Sequence, residues 1–159
     1  MGSVRWLEPE EQRAWRGYRR MFLLLNAQIA RDLLTDSGLS EADYDVLSTL
    51  SETKQRRERL SVLSARMLWE QSRLSHHITR MQRRGLVERE EAPDDGRGSV
   101  IALTRAGMQA VRSAAPKHVA AVRAHMIDRL TAEEIRVLGD ITEKIVAGLS
   151  GEGTGEPAD

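Results

Sequence analysis

Gln71-Ser-Arg-Leu-Ser-His-His-Ile-Thr-Arg-Met-Gln-Arg-Arg84, with Gly85 directly after it, is the stretch whose reading decides the fold. At about 100° per residue in a helix, Leu74, Ile78 and Met81 fall on one narrow apolar stripe. The opposite side collects Ser72, Arg73, His76, Thr79, Arg80 and Arg83, small, polar and basic, without an acid. A surface helix usually mixes charge signs so that residues four apart can pair. A helix anchored on one side and uniformly basic on the other suits the major groove of DNA. Gly85 supplies a left-handed stop just past its end.

Upstream, Ser61 to about Leu68 reads as a shorter helix with Leu60, Leu63 and Met67 apolar. A tight turn at Trp69-Glu70 joins the two into a helix-turn-helix pattern. Before it, Glu52-Thr-Lys-Gln-Arg-Arg-Glu-Arg59 has no apolar anchor and reads as an exposed basic loop. Ser40-Glu-Ala-Asp43 opens a capped helix with Val46, Leu47 and Leu50 inward. Downstream, Leu86–Glu90 and Ser99–Leu103 read as two strands joined by the turn residues Pro93-Asp-Asp-Gly96, a hairpin. The expected class is mainly α with a small β-hairpin wing.

Long helices flank this unit. Pro9 among Glu8, Glu10 and Glu11 starts the first, and Trp15, Tyr18, Phe22, Leu25, Ile29 and Leu33 recur at helical spacing until Thr35-Asp-Ser-Gly38 stops it. Thr104 caps a helix running toward Arg129, with a kink or break expected near Ala114-Ala115 because Pro116 follows. Thr131-Ala-Glu-Glu134 is a capping box for a last helix carrying Ile135, Leu138, Ile141, Ile145 and Leu149. The reading divides the chain into an N-terminal dimerisation helix (1–38), a winged helix-turn-helix DNA-binding domain (39–104), C-terminal dimerisation helices (105–149) and a disordered tail (150–159). A small winged domain needs little of the terminal stripes, so self-association is expected.

With 159 residues, 40% hydrophobic and 30% charged, the chain has the composition of a folded globular protein. Aromatics make up only 4%, so aliphatic residues and Met must build the core. The absence of cysteine removes disulfides, thiolate metal sites and thiol redox chemistry. No apolar run reaches membrane-span length and no hydrophobic leader opens the chain, so a cytoplasmic protein without a membrane partner is expected. A net charge of zero argues, taken alone, against nucleic acid. Its distribution argues the other way: Lys54 to Arg84 holds nine basic residues and two acidic ones, which steers one face toward phosphate. No Gly-flanked nucleophile with Ser, His and Asp in order, phosphate-binding glycine loop or metal-ligand spacing is present, so neither an enzyme nor a cofactor is expected. His118 and His125, seven apart, lack the third ligand of a zinc site and read as interface histidines.

Two stretches together carry a family resemblance: Ser72-Arg-Leu-Ser-His76 with Arg83-Arg-Gly-Leu-Val-Glu-Arg89, and Pro93-Asp-Asp-Gly-Arg-Gly98 running into Leu103-Thr-Arg-Ala-Gly107. In that order and spacing the chain, from about residue 10 to 149, resembles the MarR family of winged-helix regulators. The resemblance implies a homodimer, intertwined through its N- and C-terminal helices, on a pseudo-palindromic operator in double-stranded DNA. It implies base-edge contacts from Ser72, Arg73, Ser75 and His76 and backbone contacts from Arg80 and Arg83. Asp95 would orient the wing and Arg97 would enter the minor groove. Many relatives release DNA when a small aromatic anion binds. Trp15, Asp45 and Arg89 match positions used by a urate-responsive subgroup, and His77 stands where that subgroup has arginine. Trp15 reads more readily as a packed interface aromatic, and Asp45 alternatively as the partner of a nearby arginine. The expected role is a repressor; the alternative is an architectural protein binding DNA without sequence preference.

Overall fold

A computed structural model of the protein describes residues 4–91 and 98–150. Helix α1, Pro9–Ser37, starts as its acids and proline require: the Glu8 backbone N–H donates to Glu11 Oε2 at 2.8 Å, and Gly38 closes the helix in the left-handed conformation. Its apolar stripe is used unevenly. Leu33 is buried and Leu25 and Ile29 are half-buried, but Trp15, Tyr18 and Phe22 remain about half exposed.

Helix α2, Glu41–Glu52, opens on a reciprocal capping box, with Asp43 N donating to Ser40 Oγ at 3.1 Å and Ser40 N to Asp43 Oδ2 at 3.0 Å. Val46, Leu47 and Leu50 are fully buried. After a 3-10 turn at Lys54–Arg56, the chain departs from the expected basic loop: Arg57–Arg59 is a strand, β1, antiparallel to the later strand β3, Ser99–Leu103, with Arg57 opposite Ala102 and Arg59 opposite Val100. A strand of three charged residues carries no hydrophobic alternation, so only its partner identifies it. Strand β2, Val87–Glu91, pairs with the other edge of β3 and gives the order β1-β3-β2.

Helices α3, Leu60–Arg66, and α4, Gln71–Arg83, form the expected pair. Helix α3 ends slightly before Leu68, because Leu68 takes a left-handed φ of 54° and Trp69 N donates back to Ser64 O at 2.9 Å. Helix α5, Arg105–His125, continues through Pro116, so of the expected kink or break the break does not occur. The carbonyl that loses its N–H partner there belongs to Arg112, an exposed residue that water can serve. A 3-10 turn at Ile127–Arg129 follows, then α6, Ala132–Ser150, capped by Thr131 and Glu134 as expected.

The start of α5 explains the Leu103-Thr-x-x-Gly107 pattern. Thr104 Oγ1 donates to the carbonyls of Gly85 and Leu86 and accepts from Gly107 N, so the helix end is pressed onto the chain entering β2. A Cβ at position 107 would collide with the Leu86 carbonyl oxygen, with Leu103 Cδ1 at 2.8 Å.

Two compact units are distinguished, one ending at Ala121 and the other beginning at Val122. The first holds a core in which Leu33, Leu47, Leu63, Ile78, Val87, Ile101 and Val111 bring α1 to α5 and the sheet together. In the second, α6 has no buried residue although Ile135, Ile141, Ile145 and Leu149 line one side. Among the described residues, no helix is long and apolar enough to cross a membrane. The turn expected at Pro93–Gly96 and the tail beyond Ser150 lie outside the described residues.

Candidate nucleic-acid interface

Leu74, Ile78 and Met81 are completely buried, as the stripe requires, and they fix α4 against the core by one side. Burial of each is worth about 1.5–3 kcal/mol. Ser72, Arg73, His76, Thr79, Arg80 and Arg83 are exposed, so six of the residues named from the sequence share the outer side of one helix or its flanks. Ser75 lies at the border, half-buried. Asp95 and Arg97, the remaining two expected DNA contacts, lie outside the described residues.

The basic residues of this region divide into those engaged within the protein and those that are not. Arg84 donates to Asp43 Oδ2 at 2.6 Å and to Gly38 O at 3.3 Å, so it is a clamp between α4 and the α1–α2 junction. Arg57 pairs with Glu90 across the sheet at 2.9 Å, and Arg66 lies 3.9 Å from Glu58. Arg56 lines a surface cavity together with Arg105 and Arg112. Arg80 donates to His77 Nδ1 at 2.9 Å. The guanidinium of Arg73 lies 4.5 Å from the centre of the Trp69 ring. Arg83 has no ion pair among the described residues. Part of the positive surplus read from the sequence is therefore paired with acids inside the fold, whereas Arg73, Arg80 and Arg83 on the outer side have no ion pair among the described residues.

Behind the helix, Asp43 and His77 form a buried polar pair. His77 Nε2 lies 3.1 Å from Asp43 Oδ1, an ion-pair distance that does not meet hydrogen-bond geometry. Because Arg80 donates to Nδ1, the proton of the neutral ring belongs on Nε2, facing the carboxylate; this tautomer follows from the partners. Burial pushes the His77 imidazole down, with Asp43 opposing and Arg80 and Arg84 reinforcing. For Asp43, burial would raise the carboxyl, but hydrogen bonds from Arg84 and Ser40 and the Arg84 charge outweigh it and hold it below its ordinary value. Trp69 and His77 meet in a T-shaped arrangement, centroids 5.9 Å apart and planes at 76°.

The four residues expected to bind a small anion occupy four different settings. Trp15 stacks on Tyr18 along the open side of α1, centroids 5.9 Å apart. His77 belongs to the pair just described. Arg89 donates to Ser75 O at 3.2 Å and to Ser75 Oγ at 3.3 Å, joining β2 to α4. Asp45 lines a surface cavity with Tyr44, Ser48, Thr49, Arg66, Met67 and Trp69. Burial pushes its carboxyl up, opposed by His118. His118 also packs against Tyr44, centroids 4.6 Å apart and planes tilted by 36°.

Asp43, Trp69 and Arg84 are parts of the site that the sequence reading did not single out. Trp69 and Arg73 are four apart, a spacing that signals contact in a helix, but Trp69 sits in the turn before α4. The Asp43–Arg84 bond spans 41 residues and has no local signature.

A family model described as MarR family matches residues 37–98. Among solved structures, AbsC from Streptomyces coelicolor, a MarR family transcriptional regulator, is 41% identical, with a TM-score of 0.86 over 93% of this chain and 99% of that one. Sco3205, a MarR family transcriptional regulator from the same organism solved in complex with DNA, is 39% identical, with a TM-score of 0.87 over 92% of both chains. Sco5413, also from Streptomyces coelicolor, matches at a TM-score of 0.78 over 91% of this chain and 98% of that one; its 19% identity speaks to the fold alone. No curated protein matches the chain.

Proposed function

Because the chain belongs to the MarR family of transcriptional regulators, we propose that it binds a specific, pseudo-palindromic DNA operator as a homodimer. The observation that carries this reading is α4: one side fully buried, the other exposed and basic, with the guanidinium groups of Arg73 and Arg83 unpaired by any acid among the described residues. Ser72, Arg73, Ser75 and His76 face base edges, and Arg80 and Arg83 hold phosphates. From the wing, Asp95 and Arg97 add orientation and a minor-groove cation. The relative Sco3205, solved in complex with DNA, supports DNA as the partner.

The dimer reading rests on the exposed apolar residues of α1 and α6, Trp15, Tyr18, Phe22, Ile141, Ile145 and Leu149 among them, since contiguous exposed apolar surface marks interaction sites. A two-fold dimer presents two copies of α4 to half-sites about one helical turn apart. Occupancy of such an operator within a promoter excludes polymerase, which makes repression the expected sign. A small aromatic anion as the releasing ligand rests on the family resemblance; Trp15, Asp45, His77 and Arg89 are its candidate contacts, with Asp45 at a cavity. The role requires the compartment that holds the DNA, the cytoplasm of a bacterial cell.

Selection from a random duplex pool, followed by competition against bulk DNA, tests the reading. A regulator enriches a two-fold motif and holds it with a preference of roughly 10³ or more over random sequence. Equal affinity for all sequences would instead identify an architectural protein. Addition of small aromatic anions to the isolated complex then tests release.

A further inference from the structure

We propose that Trp69, in the turn before the recognition helix, is a specificity-determining positioning residue that holds Arg73 ready to read a guanine. The inference rests on the reading that α4 enters the major groove, and it assigns to one residue outside the helix a role in what the helix reads.

Arg73 lies on the flank of α4, about 100° around the axis from Ser72. Without a support on that flank, its long side chain would sample many rotamers. The structure supplies the support: the guanidinium carbon lies 4.5 Å from the centre of the Trp69 ring. The ring is itself held from several directions. Its backbone N–H is tied to Ser64 O at 2.9 Å, and the preceding Leu68 is fixed in a left-handed conformation. The ring also makes a T-shaped contact with the buried His77, which Arg80 and Asp43 flank.

The kind of contact matters as much as its position. A carboxylate partner would orient Arg73 by taking up the N–H donors that guanine needs. No such ion pair exists among the described residues, and an aromatic face holds a guanidinium without a carboxylate taking up its donors. A bidentate contact to guanine O6 and N7 uses two of them. A lysine at position 73 would keep the charge but lose both the planar stacking and the paired donors.

The test compares the full-length wild type with Trp69→Leu, Trp69→Phe and Arg73→Ala, each carried through selection from a random duplex pool. The wild-type motif should contain one strongly preferred guanine per half-site, and Arg73→Ala should erase that preference. Trp69→Leu, which keeps apolar bulk without a ring face, should relax the same position by about tenfold while other positions and affinity for random DNA stay within about twofold. Trp69→Phe should restore most of the preference. A Trp69→Leu motif identical to wild type, or a uniform loss at every position, overturns the proposal and leaves Trp69 as turn packing. A wild type that enriches no motif overturns the DNA-reading itself. A second readout needs no variant: in wild-type protein, the Arg73 side-chain protons should show an upfield ring-current shift in NMR spectra. Its absence overturns the stacking.

Discussion

Asp43 Oδ2 accepts a hydrogen bond from Arg84 at 2.6 Å, joining the first turn of α2 to the end of the recognition helix. The Asp43 side chain is 4% exposed and its carboxylate also accepts from Ser40 N at the start of its own helix, whereas the Arg84 side chain is 46% exposed. The two ends of the bond are therefore unequal. Asp43→Ala removes a cap and a charge-assisted bond, and should cost about 2–4 kcal/mol. Arg84→Ala strands a buried carboxylate but loses only a half-solvated cation, so about 1–3 kcal/mol is expected. Urea denaturation of both single variants and the double variant checks this: the double should cost clearly less than the sum. Strict additivity would mean that the bond contributes nothing.

The same cluster makes stability depend on pH. His77 titrates below the ordinary imidazole value near 6.5, chiefly through burial, so between the two values the unfolded chain binds the extra proton. Stability is then complete above about pH 6.5 and falls as pH drops below it, by at most about 1.4 kcal/mol per pH unit for one proton. Protonation at Nδ1 would also set two donors, His77 and Arg80, against each other. Asp43 adds to acid sensitivity only at lower pH, because its folded value lies below the ordinary carboxylate one. Thermal melts at pH 7.5, 6.5 and 5.5 should show a decline that His77→Gln flattens. An equal slope in wild type and variant would remove His77 as its source.

How far the sequence could be read follows from where the information lies. Leu74, Ile78 and Met81 announce their burial by spacing alone, and Gly85 and the capping residues mark ends by local chemistry. Arg57–Arg59 could not be recognised as a strand, because three charged residues become one only when Ala102, Ile101 and Val100 arrive opposite them. His76 and His77 are neighbours in sequence but about 100° apart on the helix, and only the arrival of Asp43 from α2 shows that His77 belongs inside. Arg83 and Arg84 are indistinguishable by composition for the same reason.

Gly107 is required for space. A methyl group there would press on the Leu86 carbonyl, a backbone atom that cannot swing away while Thr104 and Gly107 hold the junction. Gly107→Ala should destabilise by about 1–3 kcal/mol, overriding the helix propensity gained. Gly17 is the matched control: it lies in α1 away from the Trp15, Tyr18 and Phe22 side, with nothing within 4 Å of an added Cβ. Gly17→Ala should stabilise by about 0.5–1 kcal/mol. Opposite shifts in urea midpoint are the expected result; a neutral Gly107→Ala would show that the junction can open.

Phe22 on α1 tests the dimer. It is 52% exposed within the chain and stands beside Tyr18 at 6.3 Å between ring centroids, so a monomer loses little when it becomes polar. In a two-fold interface each substitution counts twice. Phe22→Asp should weaken association by at least about 100-fold, since two buried aromatics at about 1.5–3 kcal/mol each are replaced by carboxylates. Sedimentation should then show a folded monomer at concentrations where wild type is a dimer. An unchanged dimer would move the interface away from this side of α1.

Arg83 and Arg84 provide the sharpest separation of binding from folding. Arg83 is exposed on the outer side of α4 with no ion pair among the described residues, whereas its neighbour is spent on Asp43. Arg83→Ala should leave the melting temperature unchanged. If it meets a phosphate in each half-site, the slope of log affinity against log salt should fall by about two for the dimer, close to 0.9 per phosphate. The loss should be the same on operator and random DNA, because phosphate contacts carry no sequence information. Arg84→Ala should do the reverse, lowering stability while preserving the salt slope of the protein that remains folded. Two neighbouring arginines with identical effects on both measurements would mean that α4 does not meet DNA through this side.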